Sequence, residues 1–257
     1  MDIDLEEILS FANHLADAAG PIALRYFRTP LEVVTKADES PVTRADREIE
    51  HALRGLIRER FPVHGVIGEE EGGSAGARYT WVLDPIDGTK SFVTGCPLFG
   101  TLIGFLAGDH PLVGVIDIPT TAERWSGNGE NAALGATPAA VSRCESLALA
   151  RLYTTSLEYF DPGQKKHFER LDRSVALTRY SGDCYAYGLL ASGHCDLVVD
   201  ADLAPYDYLP IVPVVTGAGG HMSDWEGRPL TLRSGGHVVA ASSRKLLDAA
   251  LEILRPR

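Results

Sequence analysis

Residues 81–92 read Trp-Val-Leu-Asp-Pro-Ile-Asp-Gly-Thr-Lys-Ser-Phe, and they constrain the chain more tightly than any other stretch. The apolar run Trp81-Val82-Leu83 stops at Asp84, as a buried strand does when it delivers a carboxylate at its C-terminal end. Pro85 fixes φ and has no amide to donate, so the backbone is expected to turn there at once. Asp87 presents a second carboxylate, and Gly88 permits close backbone approach or a positive φ. Thr89 is placed to cap whatever follows, leaving free amides directed at the same point as the two carboxylates. Two hard oxygen ligands beside exposed amides suit Mg²⁺ shared with a phosphate. The same Asp-Pro-x-Asp-Gly turn also serves loops with no chemistry, so taken alone it leaves both readings open.

Two further stretches bear on the choice. Upstream, Gly65-Val66-Ile67-Gly68-Glu69-Glu70-Glu71 is a short apolar strand ending in acids. Downstream, Ala204-Pro205-Tyr206-Asp207 precedes an apolar segment closed by Gly217-Ala218-Gly219-Gly220. With these the sequence resembles the inositol monophosphatase-like family of metal-dependent phosphatases. Its pattern is Gly-Glu-Glu, then Asp-Pro-Ile-Asp-Gly-Thr-x-x-Phe, then a late Asp before an apolar helix ending Ala-Gly-Gly. The resemblance runs from about Lys36 to the end of the chain. It implies an α/β fold of α+β layers (αβαβα) with a mostly antiparallel N-terminal sheet, and a homodimer.

Composition narrows the partners. The length of 257 residues suits one large domain or two intimately packed halves; the resemblance implies one compact unit in which 1–140 carries most metal ligands and 141–257 carries Asp207 and specificity. A net charge of -11 argues against a nucleic-acid surface, which needs basic patches. The acidic N-terminus lacks the basic and apolar regions of a signal peptide, and no run reaches the about 18 apolar residues of a membrane span. Cys96, Cys144, Cys184 and Cys195 show neither Cys-x-x-Cys spacing nor a small disulfide framework, which reads as reduced, structural and cytoplasmic.

Along the chain, Leu5, Ile8, Ala12, Leu15, Ala16, Ala19 and Ala23 predict an amphipathic helix over 4–27, kinked or interrupted at Gly20-Pro21. A short strand over 31–36 leads to Thr43, a cap for a helix that buries Ile49, Leu53, Leu56, Ile57 and Phe61. Glycines 72, 73 and 76 mark a flexible loop that could close over the site. Strands are expected over 98–106, 113–118 and 122–125, and a seam between halves over 132–142. The second half alternates: strand 152–155, helix 165–171, strand 175–178, helix 185–192, strand 195–199. Asp207 opens a helix tolerating Pro210 in its first turn and bent by Pro213. Strands over 221–225 and 236–240 and a helix from about Ser242 close the chain. His194 and Cys195 would face opposite sides of a strand, both structural, and Trp225 carries no chemistry.

The resemblance supplies a division of labour. Glu69, Asp84 and the Ile86 carbonyl would hold one Mg²⁺; a bridging Asp84 with Asp87 and Asp207 would hold a second, about 4 Å away. Two or three ions per site are implied, with Lys36, Asp46 and Glu70 as candidates for places just outside the ligands and Glu71 at the surface. Glu69 and Thr89 would orient and deprotonate the attacking water, and the amides of Gly88 and Thr89 would bind phosphate oxygens.

The resemblance implies a small phosphorylated metabolite as substrate, with specificity set opposite the metals. Asp183, in Ser181-Gly182-Asp183-Cys184, stands where relatives acting on inositol phosphate carry small or hydroxyl residues; Asp200 stands at the family's substrate-recognition position. Two acids facing a neutral polyol carry a desolvation cost, whereas facing a cationic alcohol they form charge-assisted bonds. Histidinol phosphate, with its ammonium and imidazole, suits them. Residues 97–104, 182–188 and 205–208 also resemble the histidinol-phosphate phosphatase branch. Asp183 as a plain helix cap is the competing reading. An inositol monophosphatase of broad range is the alternative function, and a non-catalytic metal- and anion-binding module a distant one.

Overall fold

A computed structural model describes residues 3–30, 34–35, 41–42, 44–73 and 78–255; Lys36, Thr43 and residues 74–76 lie outside them, as does most of the strand expected over 31–36. Helix α1 (Leu5–Tyr26) starts where the Asp4 carboxylate accepts the amides of Glu6 and Glu7, at 2.9 and 3.3 Å. Gly20-Pro21 does not interrupt it. Pro21 lies on the exposed side, so the carbonyl it leaves without a helical donor can meet water. Strands β1 (Val34–Thr35) and β2 (Pro41–Val42) pair antiparallel. Helix α2 (Arg44–Arg60) buries Ala45, Ile49, Leu53 and Ile57, with Leu56 and Phe61 half-buried.

A seven-stranded sheet follows in chain order: β3 (Gly65–Gly68), β4 (Tyr79–Asp87), then, after helix α3 (Thr89–Thr94), β5 (Gly100–Ala107), β6 (His110–Ile118), β7 (Glu123–Gly127), β8 (Ala132–Leu134) and β9 (Thr137–Pro138). Only the β3–β4 pair is parallel. The first residues of the stretch expected as a seam, 132–138, extend this sheet instead. The second sheet has the order β11-β10-β12-β14-β13, from β10 (Arg151–Thr154), β11 (Leu177–Tyr180), β12 (Leu197–Asp200), β13 (His221–Ser223) and β14 (Val238–Ala241). Helices α4 (Pro162–Asp172), α5 (Asp183–Ala191), α6 (Pro205–Tyr208), α7 (Ile211–Gly217) and α8 (Arg244–Leu254) complete it.

Period-2 alternation builds the layers. Trp81, Leu83, Ile103, Phe105, Val113 and Val115 pack with α1 and α2. Their neighbours Val82, Leu102, Leu106, Ile116 and Ile118 face the opposite way, against α5, α7 and residues Val198, Val238 and Ala240 of the second sheet. The far side of that sheet, with Leu197, Val199, Val239 and Ala241, packs on α4 and α8. The order is helix, sheet, helix, sheet, helix.

Two expected breaks fall elsewhere. β4 does not end at Asp84; it runs to Asp87 with a register shift, Asp84 opposite Leu102 and Asp87 opposite Gly100. This bulge absorbs Pro85, which has no amide for the ladder, and the Thr101 hydroxyl donates to the Pro85 carbonyl at 2.8 Å. The apolar segment after Asp207 is two helices divided at Leu209-Pro210, and Pro213 is the third residue of α7, in the turn where no helical amide is needed. This junction rests on a lane of glycines in register, Gly104, Gly114 and Gly127.

His194 and Cys195 precede β12 rather than lie in it, one exposed and one buried. Next to them Asp196 accepts the Arg151 amide at 2.8 Å, the Arg151 guanidinium at 2.7 and 2.8 Å, and the Ser142 hydroxyl. Burial opposes the charge, but these donors outweigh it and hold the Asp196 carboxyl below the usual carboxylate range. A lowered pKa gives stability that is complete above the ordinary value of about 3.9 and lost as pH falls through the folded value. Asp196→Ala should therefore cost about 2 kcal/mol at neutral pH in urea unfolding, the value of charge-assisted hydrogen bonds to a buried carboxylate whose Arg151 partner is itself 38% exposed. The difference should shrink below about pH 4; equal stability of the two proteins at pH 7 would contradict it.

Candidate active site

The site forms where the ends of β3 and β4 meet the starts of α5 and α6. Asp84 is 2% exposed, and one carboxylate oxygen from each of Asp84, Asp87 and Asp207 lies within 4.8 Å of the others. Asp87 accepts the Cys184 amide of α5 at 2.6 Å; Asp207 accepts the Ala204 amide at 2.8 Å. Both amides come from the later part of the sequence, while Asp84 and Asp87 come from the earlier part. Glu69 directly follows β3, its amide donating to the Leu83 carbonyl at 3.2 Å, which sets it beside Asp84. Asp46, Glu69 and Glu70 form a second group with ligand oxygens within 4.8 Å, so Glu69 stands between two acidic clusters.

The electrostatics of the first cluster suit a cation. Burial, followed by the charges of Glu69, Asp87 and Asp207, pushes the Asp84 carboxyl well up. Burial and then Asp183 and Asp207 push Asp87 up, and burial chiefly raises Asp207 to about 7. Asp84 Oδ1 is buried without a hydrogen-bond donor. An orphaned oxygen among crowded hard carboxylates fits a divalent cation, which removes the repulsion that raises these pKa values.

The loop over the cation position departs from expectation by one residue. Gly88, at φ +79°, is the cap of α3, and Thr89 is its first helical residue, its hydroxyl donating to the Ile86 carbonyl at 3.1 Å. A Cβ at Gly88 would lie 2.7 Å from Asp183 Oδ2. Asp183, at φ +46°, likewise follows the cap of α5, which is Gly182, so it is not a helix cap. Its Oδ2 accepts the Ser91 hydroxyl at 2.7 Å, joining α3 to α5; burial, then repulsion from Asp200, raises its carboxyl against the opposing bond from Ser91.

Asp200 is 2% exposed and accepts the Thr155 amide at 2.7 Å, the Thr154 hydroxyl at 3.3 Å and the Tyr187 hydroxyl at 2.9 Å. Asp46 is buried in the first turn of α2. A cavity of about 500 Å³ joins the carboxylates of Asp84, Asp87 and Asp207 to Asp183 and Asp200, and Lys90, Glu158 and Tyr159 also line it. Among the described lining residues Lys90 is the one cation.

Sequence reasoning missed Glu50 and Arg54. Arg54 Nε donates to Glu50 Oε1 at 2.8 Å, and Glu50 accepts the amides of Glu70 and Glu71 at 2.7 and 3.0 Å. This buried pair fixes the acidic loop that carries Glu69, and Gly68 is bare because a Cβ there would lie 2.2 Å from Glu50 Oε1. The signal was an acid and a base spaced i, i+4 among Ile49, Leu53 and Ile57, on the face that must be buried.

The sequence model of the inositol monophosphatase family matches residues 4–256. The chain belongs to the inositol monophosphatase family. It is, in class, a phosphoric monoester hydrolase. It is 44% identical over 245 residues to the chloroplastic bifunctional phosphatase IMPL2 of Arabidopsis thaliana, covering 94% of this chain and 71% of that one. It is 36% identical to a histidinol-phosphatase of Chlorobaculum parvum, covering 94% and 95%. Among solved structures, an inositol monophosphatase from Zymomonas mobilis superposes with a TM-score of 0.90 at 41% identity, over 98% of this chain and 99% of that one. Among the described residues no helix is long and apolar enough to cross a membrane, and the four cysteines form no disulfide.

Proposed function

We propose that this chain is a Mg²⁺-dependent histidinol-phosphate phosphatase. The observation that carries the reading is the acidity of the cavity beyond the metal carboxylates, where Asp183 and Asp200 line the wall on the alcohol side. Asp183 is the direct acceptor in this reading, since Asp200 already serves three donors and acts through its charge and through Tyr187. Histidinol-phosphatases at 34–36% identity over most of the chain support the choice.

Glu69, Asp84, the Ile86 carbonyl, Asp87 and Asp207 would hold the ions, with Asp46 and Glu70 just outside. Bound there, Mg²⁺ neutralises charge on the phosphoryl oxygens and acidifies water. The chain's own groups do the rest. The Thr89 hydroxyl donates to Ile86, so its oxygen lone pairs are turned toward water, and Glu69 stands ready to take the proton. The amides of Gly88 and Thr89 receive phosphoryl oxygens, which accumulate charge as the water oxygen attacks phosphorus and the ester oxygen leaves with a proton. Asp183 accepts an imidazole N–H of the alcohol part and orients it.

The Zymomonas mobilis neighbour favours a second reading, an inositol monophosphatase of broad range. Phosphate release from histidinol phosphate and from inositol 1-phosphate separates the two. The native chain should prefer the histidinol ester, and Asp183→Asn should lower kcat/KM on it by about tenfold or more, the value of a charge-assisted bond. Faster turnover of the inositol ester would reverse the assignment, and no turnover of any ester would favour a binding module.

A further inference from the structure

Lys90 is not used by the mechanism above. It follows Thr89 in α3, and its ammonium lies 3.2 Å from Glu158 Oε2 and 4.9 Å from the ring centroid of Tyr159. Glu158 and Tyr159 belong to a tight 3₁₀ turn, Leu157–Tyr159, whose Glu158 amide donates to the Ser156 hydroxyl oxygen at 3.2 Å. The carboxylate and the ring come from the second half of the chain, and the ammonium comes from the first. A carboxylate beside an aromatic face is a receptor for ammonium groups. Here the receptor holds one of the chain's own.

The contact is exchangeable. Lys90 and Glu158 side chains are 60% and 77% exposed, and pairs so exposed contribute little to stability. All three residues line the same cavity as Asp183 and the metal carboxylates.

We propose that Glu158 and Tyr159 form an ammonium subsite for the alcohol part of the substrate, and that Lys90 occupies it until a cationic substrate displaces it. The proposal rests on the phosphatase reading of the site. A neutral alcohol has nothing with which to displace Lys90. A cationic alcohol takes its place on Glu158 and Tyr159, and the released Lys90 side chain moves out into solvent. Glu158 has one ammonium partner before and after, so the exchange does not strand it.

The test compares ω-aminoalkyl phosphates with ω-hydroxyalkyl phosphates of matched chain length on the full chain with Mg²⁺. The readout is the ratio of kcat/KM, amine over alcohol, which cancels effects common to both esters. Glu158→Gln should lower the ratio about tenfold at the chain length that reaches the subsite, and Tyr159→Leu should lower it several-fold. Lys90→Met, which removes the internal competitor, should raise it. A ratio within about twofold of native in Glu158→Gln at every length, or a fall in Lys90→Met, would overturn the subsite while leaving the phosphatase in place. No turnover of either series, of histidinol phosphate or of inositol 1-phosphate would overturn the phosphatase reading and the subsite together.

Discussion

Asp84→Asn is expected to lower turnover by about 10³-fold or more in saturating Mg²⁺ while making the metal-free protein more stable. The two effects have one cause. Asp84, Asp87 and Asp207 bring oxygens within 4.8 Å of one another in a buried place. At an effective dielectric of about 20, each fully charged pair at that spacing repels by about 3 kcal/mol, and protonation relieves part of this in the metal-free state. An amide at position 84 removes the charge at the centre of the cluster, so with chelator present the melting temperature should rise by several degrees, given about 2–4 °C per kcal/mol for a chain of this size. The rise in melting temperature that Mg²⁺ gives the native chain should shrink in the variant, because stabilisation follows the occupancy of the site. The lost turnover reflects about 4 kcal/mol of charge stabilisation withdrawn from the phosphoryl oxygens. Unchanged turnover would remove Asp84 from the ligand set, and a fall in metal-free stability would make it a structural acid instead.

Gly114→Ala is expected to cost about 3 kcal/mol or more in urea unfolding, an extreme case of overpacking for a single methyl group. Its Cβ would lie 1.8 Å from the carbonyl oxygen of Pro210, and backbone cannot swing aside as a long side chain can. Relief on either side is closed. Gly114 pairs with Gly104, where a Cβ would sit 3.1 Å from the Pro210 ring, and with Gly127, where it would sit 2.6 Å from the Pro213 carbonyl. The only escape lifts the α6–α7 junction off the sheet and carries Asp207 with it. The folded variant should therefore also lose part of its stabilisation by Mg²⁺. Gly55→Ala is the control: nothing lies within 4 Å of its Cβ, it sits inside α2, and the change should stabilise by up to about 1 kcal/mol. Stability of Gly114→Ala within about 0.5 kcal/mol of native would show that the junction does not rest on this lane.

Much of the layering was legible because alternation and helical spacing are local. Trp81, Val82 and Leu83 face opposite layers in turn, and Ile49, Leu53 and Ile57 share one face of α2, as their spacing requires. Where breaks fall was less legible. Pro85 was expected to end a strand, but a strand can carry a proline in a bulge when a neighbour such as Thr101 satisfies its carbonyl. Pro213 was expected to bend a helix, but the helix starts only two residues before it. The caps moved by one residue for a similar reason: Gly88 and Gly182 reach backbone conformations that leave Thr89 and Asp183 as first helical residues.

The candidate site divides the same way. Residues 81–92 by themselves determined that two carboxylates and a glycine-led helix start lie next to one another, since they are joined through a few peptide units. The acidic run after β3 determined that another carboxylate lies close to a strand end. The tertiary structure alone decided that Asp207 meets Asp84, that Cys184 donates its amide to Asp87, and that Glu50 with Arg54 carries the Glu69 loop. It also decided that Asp200 is spent on Tyr187 and Thr155 while Asp183 bonds Ser91. Chain geometry propagates through covalent bonds and leaves a period in the sequence. Steric exclusion along the glycine lane and repulsion among buried carboxylates act between residues with no fixed separation along the chain, so they leave none.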